Sequence, residues 1–263
     1  MKPLFVIFLF SRIIKFIGNV TKILCYGFHF LFPKTRFTLP AIALPVRRTQ
    51  MPSVIPRILW QTNYTNRVTL PVYINYLFNR LMAPSFEYRF MITEARADFI
   101  RDNYPSEIFE NYSRLQIGAA QADFWRLLVL QKHGGVYMDI DAHVVWPLGL
   151  IVQSEYEELY VTMKSGEISN YFIASKPDNP HLAQMIEVVL NNIKESRLTS
   201  VFELTGPLIF NQVLDINTVN TTYYRYTCNQ GNFTNEYFQY IDKPQGKWTT
   251  EQEKIDIVRK DSR

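Results

Sequence analysis

Cysteine is nearly absent from this chain. Only Cys25 and Cys228 occur in 263 residues, too few and too far apart for a disulfide framework or a cysteine-rich zinc site. A long uninterrupted apolar run is missing as well. Between Leu4 and Phe32 the sequence is rich in Phe, Ile and Leu, but Arg12, Lys15 and Lys22 break it before about 18 clean apolar residues accumulate. No small-residue cleavage motif follows that stretch, which argues against a cleaved signal peptide. Charge of one sign is not concentrated: 28 Lys and Arg against 24 Asp and Glu leave a net charge of +4, with the cations spread along the chain. That pattern disfavours a nucleic-acid partner. Internal repeats and low-complexity blocks are also lacking, so a solenoid or a disordered chain is excluded.

What is present fits one folded domain with an unusual leader. A 47% hydrophobic and 15% aromatic composition over this length can fill one substantial core. In the leader, Arg12, Lys15, Asn19 and Lys22 recur at helical spacing and make a narrow polar stripe on an otherwise apolar helix. Such a helix is expected to lie in a membrane interface, its cations favouring an anionic leaflet, with a spanning anchor as the main alternative and a signal or core helix as the others. The expected organisation is a membrane-associating segment at 1–32, a linker at 33–53 containing Pro33, Pro40, Pro45 and Pro52, a catalytic domain at 54–250 and a charged tail at 251–263.

Period-two and period-3.6 patterning predicts strands near 54–60, 86–92, 135–140, 158–162 and 170–175, and helices near 71–82, 94–103, 116–133, 180–195 and 207–215. Strands alternating with helices imply an α/β sheet covered by helices. Ligands of such sheets gather beyond the strand C-terminal ends.

One such end carries the run Gly134-Gly135-Val136-Tyr137-Met138-Asp139-Ile140-Asp141. A glycine pair stops the preceding helix, and apolar residues lead into two carboxylates one residue apart. On a strand, Asp139 and Asp141 share a face. Two converging carboxylates attract a hard divalent cation, Mn²⁺ or Mg²⁺, which keeps open positions for substrate phosphates. Upstream, Ala119 to Leu130 reads as a helix on which Asp123 and Arg126 stand three apart and can pair.

Taken together, Ala-x-x-Asp-x-x-Arg followed by Gly-Gly-x-Tyr-x-Asp-x-Asp resembles the DXD sugar-binding region of the glycosyltransferase family that includes yeast initiating α-mannosyltransferases and bacterial capsule and lipopolysaccharide sugar transferases. The matching residues are Ala120, Asp123, Arg126, Gly134, Gly135, Tyr137, Asp139 and Asp141. Ile55-Pro56-Arg57-Ile58-Leu59-Trp60-Gln61 resembles the family's first strand, with Trp60 in place of the usual histidine. Asn170 followed by an apolar strand, and Thr205-Gly206-Pro207, resemble two downstream stretches. Lys247-Trp248 stands where the family commonly has a histidine and then Ser-Trp, leaving Asp242, Lys243 or Lys247 to replace the histidine.

The resemblance implies a GT-A-type, Rossmann-like fold and a metal-dependent transferase that retains anomeric configuration. Its donor would be a nucleotide-diphosphate sugar and its acceptor a glycan or glycolipid, in cell-surface polysaccharide or lipopolysaccharide synthesis. Asp141 is expected to bind the metal directly, Asp139 to bind it through water or to touch ribose and sugar, and Asp123 and Arg126 to hold the donor sugar, Arg126 also reaching a phosphate. These three, Asp139, Asp141 and Arg126, are the catalytic candidates. Trp60, Gln61, Ala120, Tyr137, Asn170, Gly206 and Trp248 complete the substrate-binding set. His143 is a weaker metal candidate, more simply a strand residue near the rim.

Two rival readings exist. Asp139-Ile140-Asp141 also resembles the opening of an aspartate-nucleophile phosphatase, although no downstream acidic pair supports it, and a membrane-bound sugar-nucleotide binder without activity is the other. Sequons at Asn63, Asn111, Asn220 and Asn232 keep a Golgi membrane with a lumenal domain as the alternative to the expected cytoplasmic face of a bacterial inner membrane.

Overall fold

The computed structural model describes residues 4–260. In chain order, helix α1 (Leu4–Leu31) is followed by strands β1 (Phe37–Thr38), β2 (Ile42–Ala43), β3 (Ile58–Thr62) and β4 (Arg67–Val68). Helix α2 (Leu70–Met82), strand β5 (Glu87–Met91) and helices α3 (Thr93–Asn103), α4 (Ser106–Arg114) and α5 (Gly118–His133) come next. Strands β6 (Gly135–Met138) and β7 (Ala142–Val144) lead to helix α6 (Leu148–Ile151) and strands β8 (Glu158–Thr162) and β9 (Ile168–Ser175). Helices α7 (Pro180–Glu195), α8 (Val201–Leu204) and α9 (Pro207–Val213) precede strands β10 (Thr221–Tyr223) and β11 (Cys228–Gln230) and the short helices α10 (Glu236–Tyr240) and α11 (Trp248–Glu251).

Seven strands form a mixed sheet in the order β10-β8-β9-β6-β3-β5-β2. Strands β6, β3 and β5 run parallel, while β9 is antiparallel to both β6 and β8. Alternation sorts side chains onto two cores. Trp60, Tyr137, Tyr160 and Ile173 pack against α5, α7 and α9 on one face, and Leu59, Val136, Met138, Leu159 and Phe172 pack toward α2 and α6 on the other. The α/β architecture expected from the sequence, a central mixed sheet flanked by helices, is the one found.

Helix ends follow local chemistry. Asn179 caps α7 by accepting from His181 N at 2.8 Å, with Pro180 in the first turn. Gly134 ends α5 at φ 62°, and its carbonyl accepts from Trp60 Nε1 at 2.9 Å. At Gly135, φ is 107° and a Cβ would lie 2.7 Å from Ile58 O, so only glycine lets β6 approach β3 here.

Three expectations need correction. One is the charged tail at 251–263: Ile257 and Val258 are buried and Val258 bridges Leu115, so residues 251–260 belong to the fold. Residues 33–53 are not merely a linker: β2 pairs with β5 at the sheet edge, β1 pairs with β4, and Leu39 is wholly buried. Pro40 and Pro45 flank β2 rather than interrupt it, so no ladder donor is lost. Strand β6 also ends at Met138 rather than 140, and Asp139 to Asp141 form a tight turn in which Ala142 N donates to Asp139 O at 3.0 Å.

Helix α1 packs along the domain. Ile7, Ser11, Ile14, Gly18, Cys25 and His29, one stripe at helical spacing, are buried. Asn229 donates to Ser11 Oγ at 3.0 Å, Lys22 to Gly231 O at 2.7 Å and Leu70 N to His29 Nε2 at 3.1 Å. Burial of Ile7 and Ile14 stabilises this seat by about 2 kcal/mol each. The opposite stripe, including Phe5, Leu9, Phe16, Val20 and Ile23, is exposed.

Candidate active site

The C-terminal ends of β3, β5 and β6 open onto a cleft of about 500 Å³, lined among others by Thr62, Thr93, Asp123, Arg126, Tyr137, Asp139, Asp141 and Asn170. Its position beyond parallel strand ends is the one chain topology dictates for a ligand site. Its floor is a polar network. Arg126 Nη2 lies 2.8 Å from Asp123 Oδ1 and Nη1 lies 3.3 Å from Asp139 Oδ1, while Nη1 also donates to Asn170 O at 2.7 Å. The guanidinium lies over the Tyr137 ring at 4.3 Å. Burial opposes its charge, but Tyr137, Asp123, Asp139 and Asp141 outweigh that and raise its pKa.

Asp123 also accepts from Asn170 Nδ2 at 3.0 Å and from Thr205 Oγ1 at 3.2 Å. Burial pushes its pKa up to about 7 despite the neighbouring Arg126. Tyr137 donates its hydroxyl to Asp139 Oδ1 at 2.7 Å. Gln230, from β11, donates to Asp139 Oδ2 at 3.0 Å and Asp141 Oδ1 at 3.3 Å. Burial, and then the charge of Asp139, raise Asp141 to about 7. Two like charges in partial burial favour a cation between them.

No group of three or more His, Cys, Asp or Glu side chains converges among the described residues. The two carboxylates nevertheless offer oxygen donors of the kind a hard divalent cation takes. His143 is not part of this set. It is wholly buried, its Nε2 is 3.3 Å from Asn232 Nδ2, and burial holds its pKa down to about 3.

Of the residues expected at the site, Asp123, Arg126, Tyr137, Asp139, Asp141, Asn170, Gly206 and Trp248 line the cleft. Trp60, Gln61 and Ala120 do not. Each is fully buried, because β3 is covered on both faces and α5 turns Ala120 into the core. Gln61 supports the site from behind, donating to Asp139 O at 3.0 Å. Arg126, expected also to reach a phosphate, here contacts Asp123, Asp139 and the Asn170 carbonyl. Asp242 is taken up by Arg36 at 2.6 Å, whereas Lys243 and Lys247 do line the cleft. Sequence reasoning missed Gln230, which nothing nearby in the sequence marks, and noted Thr205 only as part of the Thr205-Gly206-Pro207 stretch, not as a partner of Asp123.

Residues 71–158 match the family described as a glycosyltransferase sugar-binding region containing a DXD motif. An uncharacterized glycosyltransferase of Acanthamoeba polyphaga mimivirus is 26% identical over 140 residues, 51% of this chain and 54% of that protein. The initiation-specific alpha-1,6-mannosyltransferase of Schizosaccharomyces pombe is 23% identical over 190 residues, 61% of this chain and 48% of that protein. This chain thus spans about half the length of these two curated relatives. Among solved structures, the PaToxG glycosyltransferase superposes with a TM-score of 0.46 at 17% identity, over 77% of this chain and 79% of that one. Residues 71–158 thus carry a glycosyltransferase sugar-binding region containing a DXD motif, and the chain is similar to glycosyltransferases over a longer stretch than that region.

Proposed function

We propose that this protein is a metal-dependent, retaining glycosyltransferase that moves a sugar from a nucleotide-diphosphate donor to a glycan or glycolipid acceptor at a membrane surface, in cell-surface polysaccharide or lipopolysaccharide synthesis. The observation that carries the reading is the convergence of Asp139 and Asp141 over the buried Asp123–Arg126 pair, in a cleft beyond the ends of three parallel strands. Asp141 and Asp139 would hold Mn²⁺ or Mg²⁺, which would supply Lewis-acid stabilisation of a diphosphate leaving group. Asp123, held by Thr205 and Asn170, presents an acceptor to sugar hydroxyls. Arg126 and Tyr137 fix the Asp139 carboxylate. The anomeric carbon–oxygen bond to the diphosphate breaks as the acceptor oxygen attacks from the same face, and the acceptor proton passes to the leaving phosphate oxygen.

Helix α1 supports attachment to a membrane surface rather than a crossing. Its buried stripe holds polar contacts to the domain that a spanning helix would forfeit, and its outer stripe is apolar. A cytoplasmic face is favoured over a lumen. Asn111 and Asn232, two of the four sequon asparagines, are buried, and both cysteines are free thiols.

The test is a thermal-shift and hydrolysis screen against UDP-, GDP- and CMP-sugars, with and without Mn²⁺, beside Asp141→Ala. Slow, metal-requiring release of nucleotide from one donor, lost in the variant, is expected. Silence toward every donor together with metal-dependent cleavage of a generic phosphate ester would overturn the reading in favour of a phosphatase.

A further inference from the structure

A second cavity, of about 200 Å³, lies between α1 and the domain and is lined by Arg12, Lys15 and Arg225 together with Asn229 and Asn232. Its three cations are unneutralised. Among the described residues none of them has an acidic partner: Arg225 donates only to the neighbouring Tyr224 hydroxyl at 3.0 Å, and Lys15 depresses the pKa of Lys22 (burial being the larger cause). Like charges gathered at one concavity favour an anion. Its polar rim is fixed, since Asn229 is tied to Ser11 and Asn232 lies beneath Gly18, whose Cβ position is 3.1 Å from the Asn232 carbonyl carbon.

Position narrows the ligand. Gln230 and Tyr171 line both this cavity and the cleft, and Gln230 reaches the two carboxylates directly. An anion held here therefore sits one side chain away from the proposed transfer site, on the side of α1. Next to it, α1 exposes Phe5, Phe16 and Ile23, at 75%, 71% and 67% of their surface. The apolar surface continues over α2, where Ile74 and Phe78 pack toward α1 and Leu77 and Leu81 are exposed. Exposed apolar residues gathered on one side mark an interaction surface, and the cationic stripe beside them matches an anionic bilayer surface.

We infer that Arg12, Lys15 and Arg225 form the acceptor-side subsite, binding the phosphate of an anionic membrane lipid whose head group extends past Gln230 into the cleft. The inference rests on the transferase reading for its meaning, and α1 then both seats the enzyme on the bilayer and supplies two of the three phosphate ligands. Arg225 is the diagnostic residue. It belongs to the domain rather than to the outward helix, and a guanidinium suits phosphate oxygens.

The experiment is vesicle flotation of the full chain on phosphatidylcholine alone and on phosphatidylcholine containing phosphatidylglycerol, comparing wild type with Arg225→Ala and with Lys34→Ala, an exposed cation at the end of α1 outside the cavity. Anionic lipid is expected to increase wild-type binding, and Arg225→Ala to remove most of that increase, well beyond the roughly fivefold that one surface charge contributes. Equal losses in the two variants, or a greater loss for Lys34→Ala, would mean simple surface attraction and overturn the site. Stabilisation of wild type, but not of Arg225→Ala, by inorganic phosphate without any anionic-lipid increase would assign the cavity to a soluble phosphate and overturn the lipid. Circular dichroism of Arg225→Ala establishes that it is folded, and Arg225→Lys is expected to restore part of the increase. Donor hydrolysis by wild type without vesicles reads the transferase separately, so either can fail without the other.

Discussion

Gln230 Nε2 stands 3.0 Å from an oxygen of Asp139 and, at 3.3 Å, also reaches Asp141, so that one amide bridges both carboxylates of the DXD turn. Its N–H groups offset part of the charge of the two carboxylates. Gln230→Ala is expected to lower the stability of the metal-free protein by about 1 kcal/mol and to have its deficit erased by Mn²⁺. Chemical denaturation with and without metal checks this. A deficit of the same size under both conditions would show that Gln230 merely packs.

Asp123 and Arg126 are buried together, and removing one partner strands the other. Asp123→Ala is expected to cost about 3 kcal/mol, with Arg126 retaining only Asp139 as a carboxylate partner. Asp123→Asn keeps the shape and should lose less stability while still losing donor turnover. Urea midpoints and donor hydrolysis, measured on both variants, separate the two effects.

Gly135→Ala tests the entry to the site. Its φ of 107° and the 2.7 Å approach of a Cβ to Ile58 O leave no room for a side chain. A loss of about 3 kcal/mol is expected, read as a fall in soluble yield and melting temperature. A variant as stable as the parent would contradict the β3–β6 pairing described above.

His29 makes the seat of α1 sensitive to acid. Its Nε2 accepts from Leu70 N, which requires a neutral ring, and burial followed by Arg36 lowers its pKa while Asp242 raises it. The folded pKa lies below the unfolded value of about 6.5. The unfolded chain therefore takes up the proton first, and stability is complete above about pH 6.5 and declines as pH falls toward the folded value. Between pH 7.5 and 5.5 the wild type should lose more in melting temperature than His29→Asn. Equal losses would remove His29 from the account.

Gly18→Leu probes the same seat without changing charge. The Cβ position already lies 3.1 Å from the Asn232 backbone, so a larger side chain must lift the helix. Faster hydrogen exchange confined to α1 and to the segment around Asn232 is expected. Unchanged protection there would show that α1 is not held against the domain in solution.

The sequence alone determined what depends on neighbours in the chain. Apolar periodicity marked α2, α3, α5, α7, α9 and the five principal strands, because burial on one or two faces writes itself into every second or every third to fourth residue. The pairing of Asp123 with Arg126 and the spacing of Asp139 and Asp141 are local too, since one helix turn and one short turn suffice to bring them together. Tertiary structure decided the rest. Which way Trp60 pointed depended on the helix that came to cover β3, and Gln230, 89 residues beyond Asp141, reached the carboxylates only because β11 pairs with β7. The seating of α1 was decided in the same way: its polar stripe was visible in the sequence, but contacts with distant residues, Asn229 and Asn232 among them, determined which stripe faces the protein and which is exposed.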